Sequence, residues 1–279
     1  MSTEQEGTTP ARQGADEQFQ HQVAKLLLEQ TSDAGFALAG AGAVRAHGLT
    51  ARPTQDIDLF STSTIDVQAF KHAVQRSHQS LLRAGYGVEV IRDFETFARF
   101  HITEPGTEEQ GAGSRSVEVD FAVNWRADPT VVMEVGPVLS ERDAVAGKLS
   151  ALYSRAEIRD FLDVDAIRVS GRYTDEELLG LSRDHDEGFD TPVFAAQLSL
   201  VVNFEAEEAA EYGISAEEFA LIQQRTYTWA QHLRDNPAPE LPEQAPQRAR
   251  SIKPIDPFAD PFGHPGPRSP GHQPPGRSL

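Results

Sequence analysis

The chain has 279 residues, a formal net charge of -18 and no cysteine. That charge argues against broad, sequence-independent binding to DNA or anionic membrane. The missing thiols exclude disulfides, thiolate chemistry and cysteine-based zinc sites. Hydrophobic residues make up 39% and charged residues 24%, close to a soluble globular chain. No run approaches the length of a membrane-spanning helix. The polar start, MSTEQEGTTPARQGADEQ, has no apolar core of a signal peptide. The expectation is a cytoplasmic protein without a membrane partner.

Residues 1–16 read as disordered, and a first helix is expected from about Glu17 to Gln30, where Phe19, Val23, Leu26 and Leu27 recur at helical spacing. FALAG (36–40) reads as a short buried strand ending in a turn, and AGAVRAHGL as a short helix. DIDLF (56–60) is a strand. An amphipathic helix from Asp66 closes at Gly85. Strands follow at 87–91, 97–102 and 115–123, the last two joined by a loop of hairpin composition, EPGTEEQGAGS. The fold class is therefore α+β with a mixed sheet.

From Ser140 onward the pattern is helical. Ser140-x-x-Asp143 resembles a capping box and Ser154-x-x-Glu157 matches one, which predicts two helices meeting near Arg155. Further helices are expected at 175–185, 192–203 and 215–234. Twelve of the 18 prolines fall in 236–279, so that segment reads as an extended tail. Its DPFADPFGHPGP is either a docking peptide or a tail with no specific role. The expected parts are thus 17–135, 136–235 and the two termini.

Asp56 and Asp58 are two apart on a strand and share one face, about 7 Å apart at Cα by the strand rise. Ile57 and Leu59 face the other way. SVEVDFAV repeats the construction, with Glu118 and Asp120 opposite Val117, Val119, Phe121 and Val123. If the two strands are neighbours, Asp120 is a third carboxylate beside the pair. Like charges at this spacing repel unless a cation sits between them, and hard oxygen donors suit Mg²⁺ or Mn²⁺. Three such groups can hold two ions about 4 Å apart for phosphoryl transfer. The competing reading is a solvated Asp-x-Asp. Upstream, Gly40 and Gly42 frame a turn leading into a helix, a geometry that brings backbone N–H groups and a helix N-terminus to phosphate.

LAGAGAVRAHGLTARPTQDIDLF resembles the opening signature of the AbiEii/AbiGii nucleotidyltransferase toxins, within the DNA polymerase β-like superfamily. The matching residues are Gly40-Ala41, His47-Gly48, Arg52-x-Thr54 and Asp56-x-Asp58. A second signature matches at Lys148, Arg155, Arg159-Asp160 and Asp163. Ala41 departs from the usual Gly or Ser and offers phosphate only its backbone N–H.

The resemblance implies transfer of a nucleoside monophosphate from an NTP to an acceptor. Asp56, Asp58 and Asp120 would bind metal, and Lys148 would neutralise triphosphate charge. Gly40, Ala41, Arg52, Thr54 and Arg155 would contact nucleotide, and Asp160 would serve the reaction. Arg52 or Thr54 alternatively pins the loop before the acidic strand. Arg159 and Asp163, four residues apart, alternatively form a helix-face salt bridge. His47 reads as a packing or turn residue.

The implied system is the toxin of a type IV-like toxin–antitoxin or phage-defence pair, acting on RNA, notably the tRNA 3′ end, with an antitoxin encoded upstream. Arg142, Arg155, Arg159, Arg168 and Arg172 are candidates for a basic surface, or are scattered. A small-molecule or protein-side-chain acceptor is the enzymatic alternative. An inactive binding module is the other.

Overall fold

The computed structural model describes residues 10–104 and 115–236. In chain order these form α1 (Pro10–Thr31), β1 (Ala37–Leu38), α2 (Gly40–Ala46), β2 (Asp56–Thr62), α3 (Val67–Arg83), β3 (Gly87–Asp93), β4 (Phe97–Thr103) and β5 (Ser116–Asn124). There follow β6 (Val131–Met133), β7 (Gly136–Val138), α4 (Glu141–Ser154), α5 (Ile158–Val169), α6 (Asp175–His185), α7 (Thr191–Ser199), α8 (Ala206–Ala210) and α9 (Ala216–Asp235). The expected docking peptide and most of the expected disordered termini lie outside the described residues.

The strands make one seven-stranded sheet in the order β3-β4-β5-β2-β1-β7-β6. β2 runs parallel to β5, and β1 parallel to β7; the other pairs are antiparallel. The fold is α+β with a mixed sheet, as the element pattern predicts. β4 and β5 pair antiparallel, as a hairpin requires, and residues 105–114 between them lie outside the described set.

Alternation along the central strands builds the layers. Ile57, Leu59, Val117, Val119, Phe121, Ala98, Phe100 and Ile102 are all buried on one face. α1 and α3 cover that face. Phe36 packs on Phe70 of α3 and edge-on against Phe121, which in turn meets Phe100. The opposite face carries Asp56, Asp58, Glu118, Asp120 and Arg99, and Arg159 of α5 reaches it at Asp56. The main apolar core runs from Phe19 to Leu233 through sheet and helices, and a second, smaller cluster gathers Ile158, Leu162, Ala209, Phe219 and Ile222. No helix among the described residues is long and apolar enough to cross a membrane.

The elements depart from expectation in several places. α1 starts at Pro10 rather than Glu17, and proline suits a first helical position because its missing N–H is not needed there. β6 and β7, at three residues each, are too short to show a period. α8 was not foreseen. The second capping box is Glu157 with Asp160, not Ser154 with Glu157. Ser140 does cap α4, its hydroxyl accepting from the Asp143 N–H. The helices do break near Arg155, but Arg155 is the C-cap of α4, an end where a cation is favoured, and Ala156 beside it turns with φ of 51°.

Candidate active site

Parallel pairing sets Asp56 opposite Glu118 and Asp58 opposite Asp120. The third carboxylate therefore stands directly beside the Asp-x-Asp pair, on neighbouring strands, as the shared alternation predicts. Across β4, Arg99 lies opposite Asp120. Its guanidinium forks the carboxylate, Nε to Oδ1 and Nη2 to Oδ2, both 2.6 Å, and also reaches Glu118 at 3.3 Å. Arg159 of α5 donates to Asp56 Oδ2 at 3.2 Å and to Glu157 at 2.9 Å.

Asp58 is the carboxyl with the least compensation. Burial first, then the charge of Asp56, push its pKa up to about 7, with Lys148 opposing and Asp120 adding. Asp120 is also raised, by burial, although the Arg99 fork pulls the other way. Acids this close, with Asp120 buried and Asp56 and Asp58 partly so, resist full ionisation without added positive charge.

The glycine segment meets the acids at one point. Gly40 has φ of 54°, and a Cβ built there would lie 1.7 Å from Asp58 Oδ2. Glycine is needed both for the left-handed backbone and for the close approach. Gly40 is the first residue of α2, whose N-cap Ala39 supplies no side-chain hydrogen bond. Gly42 does not frame the turn; it lies inside α2, where a Cβ would sit 3.0 Å from Leu38. The Ala41 side chain is buried, so the position offers the site only its backbone.

Lys148 is buried, and its Nζ lies 2.8 Å from Asp163 Oδ2. Arg52 grips the same carboxylate, Nε to Oδ1 at 2.6 Å and Nη2 to Oδ2 at 2.7 Å. Asp163 is wholly buried between them. Burial alone would raise its pKa, but the two cations hold it below the usual carboxylate range. The helix-face pair between Arg159 and Asp163 does not form, because each finds a partner from a distant segment. Arg52 also lies over the Tyr212 ring at 5.3 Å.

Asp160 is buried and accepts two hydrogen bonds from Arg155, both 2.9 Å, while closing the α5 capping box through the Glu157 N–H at 3.2 Å. It therefore acts on Arg155, and Arg155 in turn feels the charge of Asp58. Burial works to lower the Arg155 pKa, and the Asp160 bonds override it. Thr54 is tied to α1: its hydroxyl donates to Gln20 Oε1 and its carbonyl accepts from Gln20 Nε2, both 2.9 Å. His47 Nε2 lies 2.8 Å from the Leu139 carbonyl and anchors α2, a structural role as expected.

The arginines suggested for a basic surface are all paired. Arg142 faces Asp128, Arg155 Asp160, Arg159 Asp56, Arg168 Asp175 and Arg172 Glu141. Arg168 also stacks over Trp229 at 4.1 Å.

Among the described residues no three acidic or histidine side chains converge tightly enough to form a ready metal cage. The donor set nevertheless fits a hard divalent cation. Asp56, Asp58 and Asp120 share one face, and guanidinium cations already stand in as counter-charge on two of them. Arg99 is the member that sequence reasoning passed over; Asp163 was matched by the second signature, but its partners Arg52 and Lys148 were not foreseen. Alternation on β4 alone would have put Arg99 on the acid face, but nothing local assigns its partner.

A mixed sheet bearing paired aspartates beside a glycine-led helix defines a nucleotidyltransferase-type architecture. The chain belongs to the family described as Nucleotidyl transferase AbiEii toxin, Type IV TA system, which matches residues 24–249. It is a nucleotidyltransferase of that toxin family. A comparison with curated proteins finds no match. Among solved structures, JHP933 from Helicobacter pylori is 16% identical, with a TM-score of 0.44 over 78% of this chain and 97% of its own. A provisionally assigned nucleotidyltransferase from H. pylori is also 16% identical, at 0.45 over the same shares. The Cid1 poly(U) polymerase, bound to MgGTP, is 10% identical at 0.31, over 71% of this chain and 52% of its own.

Proposed function

We propose that the chain transfers a nucleoside monophosphate from an NTP to an acceptor, with Mg²⁺ or Mn²⁺ held by Asp56, Asp58 and Asp120. The observation that carries this is Asp58: a carboxyl pressed against the Gly40 backbone, beside Asp120 on the neighbouring strand, with its proton affinity raised until cationic charge arrives. The bound cation would supply charge neutralisation and Lewis acidity at the reacting phosphate. Residues 17–135 provide the acidic face, and 136–235 provide the helices that set cations over it.

Each side chain has a separate task in this reading. Asp120, once free of Arg99, accepts the acceptor hydroxyl proton or completes the ligand set. Lys148 and Arg52 are fixed by Asp163 and act as static positive charge beneath the triphosphate rather than as mobile hands. Arg155, oriented by Asp160, faces the phosphates. Asp160 is thus a positioning residue, and Thr54 serves by pinning the Arg52 loop to α1. The first-turn backbone of α2, from Gly40 and Ala41, offers N–H groups to the same triphosphate.

The acceptor in this proposal is RNA, with the tRNA 3′ end foremost, and the biological setting is a toxin countered by an antitoxin encoded upstream, or phage defence. The antitoxin follows from the toxin family, whereas the RNA acceptor rests on the family resemblance. A second reading has its own support: the five suggested arginines are each paired with an acid and the net charge is -18, which favours a small-molecule or protein acceptor. Incubation of the protein with each α-labelled NTP, Mg²⁺ and total tRNA decides between them. Label on tRNA supports the RNA reading. Label on protein or small molecules alone moves the acceptor to the second. Label nowhere, together with no metal-dependent NTP binding, favours a binding module.

A further inference from the structure

The cations around the acidic face fall into two kinds. Arg52 and Lys148 are buried, with side chains 5% and 8% exposed, and both are locked on Asp163 at 0%. Arg99 and Arg159 are at the surface of the site, 20% and 22% exposed, and they sit on Asp120 and Asp56 respectively. Arg99 occupies both oxygens of Asp120. Arg159 occupies Oδ2 of Asp56. A cation cannot gain either carboxylate fully without displacing a guanidinium.

We infer that Arg99 and Arg159 are exchange clamps that keep the metal-free site closed and make nucleotide and divalent cation load as one unit. The inference rests on the reading of Asp56, Asp58 and Asp120 as metal ligands. Bare metal meets two bound guanidinium groups and is disfavoured. Bare NTP meets three carboxylates and is disfavoured. A metal–NTP unit satisfies both at once: the cation takes the carboxylates, and the released guanidiniums find phosphate oxygens. Phosphate presents the same fork-compatible pair of acceptors as a carboxylate, and guanidinium is weakly hydrated, so the exchange costs little. The buried pair on Asp163 stays in place throughout.

The test is Mn²⁺ binding to the full chain without nucleotide, read as loss of the free-ion signal in electron paramagnetic resonance. Wild type is compared with Arg99→Gln and Arg159→Gln, and each is repeated with Asp58→Asn added. Circular dichroism confirms that each is folded, and either arginine variant alone suffices. Expected is weak binding by wild type and binding tighter by about tenfold or more in the glutamine variants, abolished by Asp58→Asn. A non-hydrolysable NTP should tighten Mn²⁺ binding to wild type more than to the variants. Equal or weaker Mn²⁺ binding by the glutamine variants, still lost with Asp58→Asn, overturns the clamp and leaves the metal reading standing. Absence of Mn²⁺ binding in every protein, with and without the NTP analogue, overturns the metal reading and the clamp with it.

Discussion

Asp58→Asn should stabilise the metal-free protein while abolishing transfer. Burial and the Asp56 charge raise the Asp58 pKa from an ordinary 3.8 to about 7. At about 1.4 kcal/mol per tenfold change in proton affinity, the whole gap corresponds to about 4 kcal/mol. The carboxyl is only partly buried and solvent screens it, so about 2 kcal/mol is the working figure. The sign follows from proton linkage. Below 3.8 both folded and unfolded chains carry the proton and Asp58 costs nothing. As pH rises the unfolded chain ionises first, so stability falls progressively until the folded pKa is passed. Asparagine removes the charge and keeps the shape. Thermal unfolding in EDTA, followed by circular dichroism, should show Asp58→Asn melting about 4–8 °C above wild type at pH 8, with a smaller gap at pH 5. A variant that melts at or below wild type at pH 8, or a gap independent of pH, would refute the electrostatic account of the site.

Asp163→Asn leaves Arg52 and Lys148 buried without their shared counter-charge, and should cost about 3–5 kcal/mol in urea unfolding; a loss under about 1 kcal/mol would show that the pair relaxes into solvent. Gly40→Ala forces a methyl into Asp58 and strains a left-handed backbone, so nucleotide transfer should fall by at least about tenfold with a stability loss of about 1–2 kcal/mol. Near wild-type rates would mean that the Gly40–Asp58 approach is dispensable. Asp160→Asn should weaken NTP binding by about tenfold through Arg155, and Arg155→Ala should then add little; additive losses in a double-mutant comparison would separate the two residues.

Much of this site could be read locally. The two-residue period put Asp56 and Asp58 on one face of β2, and Glu118 and Asp120 on one face of β5, leaving only the pairing of the two strands to be supplied by the fold; the second signature singled out Lys148. What could not be read is whom each acid meets. Arg99 and Asp120 are 21 residues apart, Arg159 and Asp56 are 103, and Arg52 and Asp163 are 111. Such pairs are products of the fold, and a local rule misassigns them. Helical spacing offered Arg159 to Asp163, yet both are drawn elsewhere. The second capping box moved on by three residues in the same way: Glu157 has Asp160 three residues on, and Asp160 is fixed further by Arg155. Gly42 shows the converse, since a glycine spacing read as a phosphate turn is explained by contact with Leu38.

The central claim is that Asp56 and Asp58 support metal-dependent nucleotidyl transfer. Its most direct test is release of pyrophosphate with incorporation of α-labelled NTP, with Mg²⁺ or EDTA, by wild type and by an Asp56→Ala/Asp58→Ala double variant in the presence of total tRNA. The account predicts labelled product from wild type with Mg²⁺ and none from either control. Equal incorporation by the double variant, or full incorporation in EDTA, would contradict it.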